Sequence, residues 1–246
     1  MKKKVFLVLV LALIVAGGVF AQRSTPNPDE HFEFRNGVIT GYVGGDNRVV
    51  IPTELPQKDR NGNITGRLPV TEIGSRAFAG NKIIDQVVIP ASVHSIGSRA
   101  FQGSTLRWVT IQGTLRSIGD RAFEDTVLQS FVSNWPHGLQ SIPTGLYQGT
   151  HLNGTLVIPE GVTEIGNNAF AGTQITSVTL PRSINRIGSN AFAGCSQLQT
   201  VTIPSSVTSI IFGGNNCFSS APLNDASKQA LIARGAPVDR NGNLRY

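Results

Sequence analysis

Two cysteines, four histidines and a charged fraction of 15% leave this chain of 246 residues short of the groups that do chemistry. His31, His94, His137 and His151 share no metal-ligand spacing with a cysteine or a carboxylate pair. No serine sits in a nucleophile-elbow context, and the glycines recur at fixed spacing rather than as a phosphate loop. No catalytic residue, cofactor or metal is therefore expected. Cys195 and Cys217 stand 22 residues apart, but Cys195 follows Phe192 by three and Cys217 precedes Phe218 by one. They occupy different corners of the fold, which argues against a bridge and for two small buried hydrophobes. The charge excess is modest as well. Lys+Arg 21 against Asp+Glu 15 gives +6, and three of the lysines are Lys2, Lys3 and Lys4, so 18 against 15 leaves +3 beyond them. That is an ordinary surface, with no case for nucleic acid.

What the chain has in quantity is a repeated phrase. Ile187-Gly188-Ser189-Asn190-Ala191-Phe192 followed by Leu198-Gln199-Thr200-Val201-Thr202-Ile203-Pro204 is its clearest copy. The leading isoleucine recurs at Ile73, Ile96, Ile118, Ile142, Ile165, Ile187 and Ile210, in steps of 23, 22, 24, 23, 22 and 23. A period this regular predicts a solenoid. The aromatic keeps step at Phe78, Phe101, Phe123, Tyr147, Phe170, Phe192 and Phe218. Val-x-Ile puts two apolar side chains on one face of a strand, and the proline that follows has no N–H to continue a ladder. The glycine makes a corner, by positive φ or by close backbone approach. Ser75, Ser98, Asp120, Asn167 or Ser189 then caps a short helical turn, and the ring fills the coil. One unit has too little core to stand alone; stacked units bury the columns continuously.

In chain order, residues 1–21 read as a signal peptide, with three lysines, an apolar run over 5–15 and small residues before Gln22. No later stretch is apolar enough to span a bilayer. Residues 22–35 read as a flexible tether with Pro26 and Pro28. Residues 36–66 read as an N-terminal cap: a hairpin over 36–51 turning at Gly44-Gly45-Asp46-Asn47, then an insertion. Asp59-Arg60-Asn61-Gly62-Asn63 in that insertion recurs as Asp239-Arg240-Asn241-Gly242-Asn243. A calcium loop would need a closing Glu that is missing, so an Asn-Gly hairpin turn used twice is expected. Residues 67–218 are the repeats, of 22–24 residues each. The fourth copy is degenerate around Trp135 and His137, and the last carries three extra residues before Phe218. Residues 219–246 read as a C-terminal cap with a helix over 224–235, from an Asn224 N-cap to Gly235.

The phrase Leu-x-x-Val-x-Ile-Pro with Ile-Gly-x-x-Ala-Phe resembles the BspA-like, treponemal-type leucine-rich repeat over residues 49–218. The resemblance implies a curved, right-handed leucine-rich repeat solenoid, mostly β with short helical turns. A parallel sheet would line its concave face, and the phenylalanines would lie toward the convex side. It implies an exported bacterial protein, secreted, on the cell surface or periplasmic, and adhesion to host matrix or bacterial surface proteins as a function. The alternative is a periplasmic or envelope scaffold with no extracellular ligand. The chain is expected to be a monomer that binds a protein partner. Strand side chains pointing away from the coil place the candidate surface at Val88, Thr110, Val132, Val157, Thr179 and Thr202, with Gln86, Trp108, Ser130, Thr155, Ser177 and Thr200 beside them. Trp108 would protrude from a ledge of short side chains, and β-branched residues also simply suit a strand. Trp135 and His137 mark the irregular copy as a further candidate. A second column, Arg76, Arg99 and Arg121 continued by Asn168, Asn190 and Asn216, reads as a solvated flank or as a seat for an acidic partner.

Overall fold

The computed structural model describes residues 25–130, 138–214 and 216–245. The leader and the residues Val132, Trp135 and His137 lie outside them. A 3-10 turn, Asp29–His31, leads into an antiparallel hairpin of β1 (Phe32–Arg35) and β2 (Val38–Tyr42). Then come β3 (Arg48–Val50) and a second hairpin, β4 (Glu54–Lys58) with β5 (Ile64–Pro69). The coils follow, a short strand alternating with a longer one. These are β6 (Glu72–Ile73) and β7 (Gln86–Ile89), β8 (Ser95–Ile96) and β9 (Trp108–Ile111), and β10 (Ser117–Ile118). The fourth and later copies give β11 (Ser141–Ile142) and β12 (Asn153–Val157), β13 (Glu164–Ile165) and β14 (Gln174–Thr179), β15 (Arg186–Ile187) and β16 (Thr200–Thr202), and β17 (Ile211–Phe212). Helix α1 (Asp225–Ile232) ends the stack.

Equivalent strands of successive coils pair in parallel and in register. The longer strands form sheets β3-β7-β9 and β12-β14-β16, and the short ones form β2-β6-β8-β10, edged by β1, and β11-β13-β15-β17. The fold is thus the expected repeat solenoid. Alternation decides the faces: Val87, Ile89, Leu156, Val178 and Val201 point inward and are buried. Inside, Tyr42, Phe78, Phe101, Phe123, Tyr147, Phe170, Phe192 and Phe218 form one uninterrupted stack, with ring centroids 5.0–5.9 Å apart. Phe32 tilts against Tyr42 at 5.3 Å and closes its N-terminal end.

The segment after each corner glycine combines two hydrogen-bond patterns. Ala77 N–H reaches back to Gly74 O and Ala79 N–H to Arg76 O, as in overlapping i→i+3 turns, while Phe78 N–H donates to Ala100 O of the next coil (2.7 Å). The same cross-coil bond recurs from Phe101 to Ala122, Phe123 to Leu146, Tyr147 to Ala169, Phe170 to Ala191 and Phe192 to Cys217. The turn side is therefore a third ladder, and it runs through the degenerate copy without a break.

The corner glycine works by close approach. A Cβ on Gly97 would stand 2.5 Å from Ser75 N, and one on Gly119 2.4 Å from Ser98 N. The positive φ belongs two residues later, to Arg76, Arg99, Arg121, Gly145, Asn168 and Asn190 (56–61°).

The N-terminal cap differs from the expected hairpin over 36–51. Asn36-Gly37, with φ of 50° and 86°, turns β1 into β2, and β3 pairs in parallel with β7. Residues 27–35, read from sequence as tether, are docked. Asn27 is buried; it donates its N–H to Val50 O (3.0 Å) and accepts Val50 N–H at Oδ1 (2.6 Å), covering the edge of β3. At the other end Asn224 caps α1 by accepting Ser227 N–H (2.9 Å), and Arg234 Nη1 donates to Ala230 O. The repeated Asp-Arg-Asn-Gly-Asn is a turn in both places. Asp59 Oδ1 accepts from Asn61 and Asn63 N–H, Asp239 Oδ1 accepts from Asn241 and Asn243 N–H, and Gly62 and Gly242 take φ of 85° and 80°.

Candidate binding face

Among the described residues the outward side chains of the longer strands form two sets in register, one before and one after residues 131–137. In the first, Gln86 lies in register with Trp108, and Val88 with Thr110. In the second, Thr155, Ser177 and Thr200 form one row and Val157, Thr179 and Thr202 the next. Trp108 is 39% exposed and Val157 60%; Thr110, Ser130, Thr155 and Thr202 are exposed, and Gln86, Ser177, Thr179 and Thr200 half-buried. Val88 is a correction. It is buried, in register between Val50 and Thr110, where β-branched neighbours one strand apart shield one another. Val132, Trp135 and His137 fall outside the described residues.

Hydroxyls on this face bond partly to one another. Ser177 Oγ donates to Thr155 Oγ1 (2.8 Å), and Asn224 Nδ2 donates to Thr200 Oγ1 (3.3 Å), so the helical cap abuts the second set. The charged groups flanking Trp108 are also paired, Arg107 Nε with Asp85 Oδ1 at 3.4 Å. Among the described residues the result is a polar, low-charge ledge from which Trp108 and Val157 stand out.

Ionisable groups with shifted properties lie elsewhere. Burial pushes the thiols of Cys195 and Cys217 up, and both are free. Cys195 takes the place of a buried threonine column. Thr126, Thr150 and Thr173 each donate Oγ1–H to the carbonyl three residues back (2.8–2.9 Å), whereas Cys195 Sγ reaches Phe170 O at 3.1 Å. Among the described residues no three His, Cys, Asp or Glu gather as a metal site.

Sequence reasoning missed two features. Asp46 draws Asn27 Nδ2 (2.7 Å), Tyr42 OH (3.0 Å) and His31 Nδ1 (2.9 Å) to the same oxygen. A groove of about 580 Å³ opens between β1 and the second hairpin, with Phe32, Phe34, Leu55 and Ile64 on its walls. The Asn36-Gly37 turn signal would have revealed the hairpin that creates both.

Comparison with known proteins gives one family and solved structures of the same fold. The family model described as BspA type leucine rich repeat region matches residues 71–153 and 132–232, in six copies. No curated protein matches the chain in sequence. The crystal structure of the T. pallidum leucine-rich repeat protein is 28% identical, covers 87% of this chain and 98% of its own, and superposes with a TM-score of 0.70. A leucine rich cell surface protein from Faecalibacterium prausnitzii A2-165 is also 28% identical, over 76% of this chain and 57% of its own, with a TM-score of 0.57.

Proposed function

Since this chain belongs to the BspA-type leucine-rich repeat family, we propose that it is an exported, non-catalytic module that holds a protein partner on the ledge formed by β7, β9, β12, β14 and β16. The observation that carries this reading is Trp108, 39% exposed beside the exposed Thr110 on an otherwise short-chained face. Aromatic side chains are the anchors of protein contacts, and a flat row of hydroxyls around one excludes water without steric conflict. The leader of residues 1–21 supports export. No helix of the described residues is long and apolar enough to cross a membrane. The name of the F. prausnitzii relative, a cell surface protein, is consistent with a surface partner from a host or another bacterium.

The test is capture of partners by the purified protein and by a variant carrying Trp108→Ala and Thr110→Glu. Both positions are exposed, so folding is retained, and the captured protein is expected to be lost. Undiminished capture by the variant would remove the ledge as the site. Protease treatment of intact cells then separates a surface protein, which is cleaved, from a periplasmic scaffold, which is protected.

A further inference from the structure

Three consecutive coils carry arginine where the backbone favours asparagine or glycine. Arg76, Arg99 and Arg121 have φ of 60°, 57° and 57°, in the left-handed region where a Cβ meets the following carbonyl. Later coils meet the same corner with Gly145, Asn168 and Asn190, at φ of 61°, 56° and 57°, the residue types that tolerate it best. The corner needs a left-handed residue, and a guanidinium does nothing to favour that backbone conformation. Strain kept at a repeated position points to a use for the side chain.

The three residues are stacked in register. Arg76 N–H donates to Ser98 O (3.1 Å), Arg99 N–H to Asp120 O (2.9 Å) and Arg121 N–H to Thr144 O (2.8 Å). The rings two positions on are 5.0 and 5.4 Å apart, which sets the axial repeat of the arginines. Arg76 is exposed, and Arg99 and Arg121 are half-buried. Among the described residues Arg76 and Arg99 form no ion pair; Arg121 has a contact of 3.8 Å to Glu124, which Gln102 also holds. Exposed Ser75 and Ser98 precede the first two, and Asp120, before the third, accepts Thr144 N–H (3.0 Å).

We propose that this column is a binding site for a linear sulfated or carboxylated polysaccharide. A planar guanidinium matches the paired oxygens of sulfate and carboxylate, and serine hydroxyls add donors to the same groups. Like charges one coil apart repel each other until an anionic chain lies along them. The surface offers no stacking platform for a nucleic acid base: the exposed aromatic of the described residues, Trp108, lies on β9, in a different column of the coil. The site is separate from the strand ledge, so it stands or falls independently of the protein partner.

The probe is immobilised heparin, a sulfated glycan, at about 150 mM salt. The protein is expected to be retained, and the triple variant Arg76→Asn, Arg99→Asn, Arg121→Asn to lose at least about tenfold in affinity. Asparagine suits the left-handed corner, and the double variant Arg76→Asn, Arg99→Asn, which leaves the Arg121–Glu124 contact in place, should melt no lower than the parent and still lose retention, which separates lost binding from lost folding. A control of equal charge, Arg60→Asn, Arg240→Asn, Arg245→Asn, takes three exposed arginines from the hairpin turn and the C-terminal end and should keep its retention. The proposal is overturned if the parent flows through, if the control loses as much as the column variant, or if single-stranded oligo(dT) displaces the protein as well as free heparin does.

Discussion

At the scale of single residues, the corner separates two demands that glycine can meet together. Gly97 must admit the backbone of the preceding coil, because its Cβ would meet Ser75 N at 2.5 Å and Gly74 C at 2.8 Å. Gly103 takes φ of 65° in open space, so a side chain there would meet strain and no neighbour. Ala at position 97 should therefore cost about 3 kcal/mol, the upper end for overpacking, since both contacts are backbone and cannot step aside. Ala at position 103 should cost about 1–2 kcal/mol, the penalty for a Cβ in the left-handed region. Urea unfolding of the two variants ranks them, and a larger loss for the position-103 variant would show that conformation outweighs close approach. The sequence displayed both glycines with equal regularity. It could not say which demand each one meets, because the atom that crowds Gly97 lies 22 residues away in the chain.

Among elements, the N-terminal cap shows where local signals are strong and still misread. Asn-Gly between alternating apolar residues is a strong hairpin marker, yet the sequence reading of a hairpin over 36–51, turning at Gly44-Gly45-Asp46-Asn47, passes over Asn36-Gly37. Parallel pairing of β3 with β7 leaves no trace in either strand's own residues. The repeats, in contrast, were legible down to the residue except in the last copy, where Phe212 and not Ile210 pairs with Ile187, because each inward position is stated several times and only the insertion near Phe218 shifts the register; the binding ledge was legible as a direction, while the burial of Val88 depends on neighbours in other coils. The cap is fastened by Asp46. Desolvation, the largest single influence, raises its pKa, but hydrogen bonds from Tyr42 and Asn27 and the proximity of His31 together prevail and lower it below the ordinary value. A depressed folded-state pKa means stability that is complete above the unfolded value and is lost as pH falls through the folded one. The stability gap between the parent and Asp46→Asn should thus be full at neutral pH and shrink below about pH 4. Asp59 and Asp239, also lowered, first by hydrogen bonds from Asn63 and Asn243, are common to both proteins and cancel. A gap that persists unchanged to pH 3 would mean that Asp46 acts through shape and not through its charge.

For the whole molecule, stability should be nearly one-dimensional, a sum of coils and the interfaces between them. Among the described residues the short-strand column is divided into an earlier and a later block, β10 ending one sheet and β11 starting another. Among the described residues the aromatic stack and the turn-side ladder join the blocks, through Phe123 N–H to Leu146 O (3.1 Å) and Tyr147 N–H to Ala169 O (2.8 Å). The two widest ring spacings, 5.7 and 5.9 Å, are those on either side of Tyr147. Tyr147 is fully buried, so Tyr147→Ala should remove about 3–5 kcal/mol. Taken from the junction, that energy weakens the coupling between blocks more than it weakens either block. Unfolding in urea should then split, with a lower slope for each step, because each exposes only part of the surface. Native-state hydrogen exchange should find the amides of β7 and β9 opening at a different free energy from those of β14 and β16. Phe192→Ala, of similar size but inside the later block, should lower the stability of that block and leave the exchange of β7 and β9 nearly unchanged. If Tyr147→Ala instead unfolds in one step with the parent's slope, the junction is no weaker than the coils it connects, and the division of the short-strand column has no energetic counterpart.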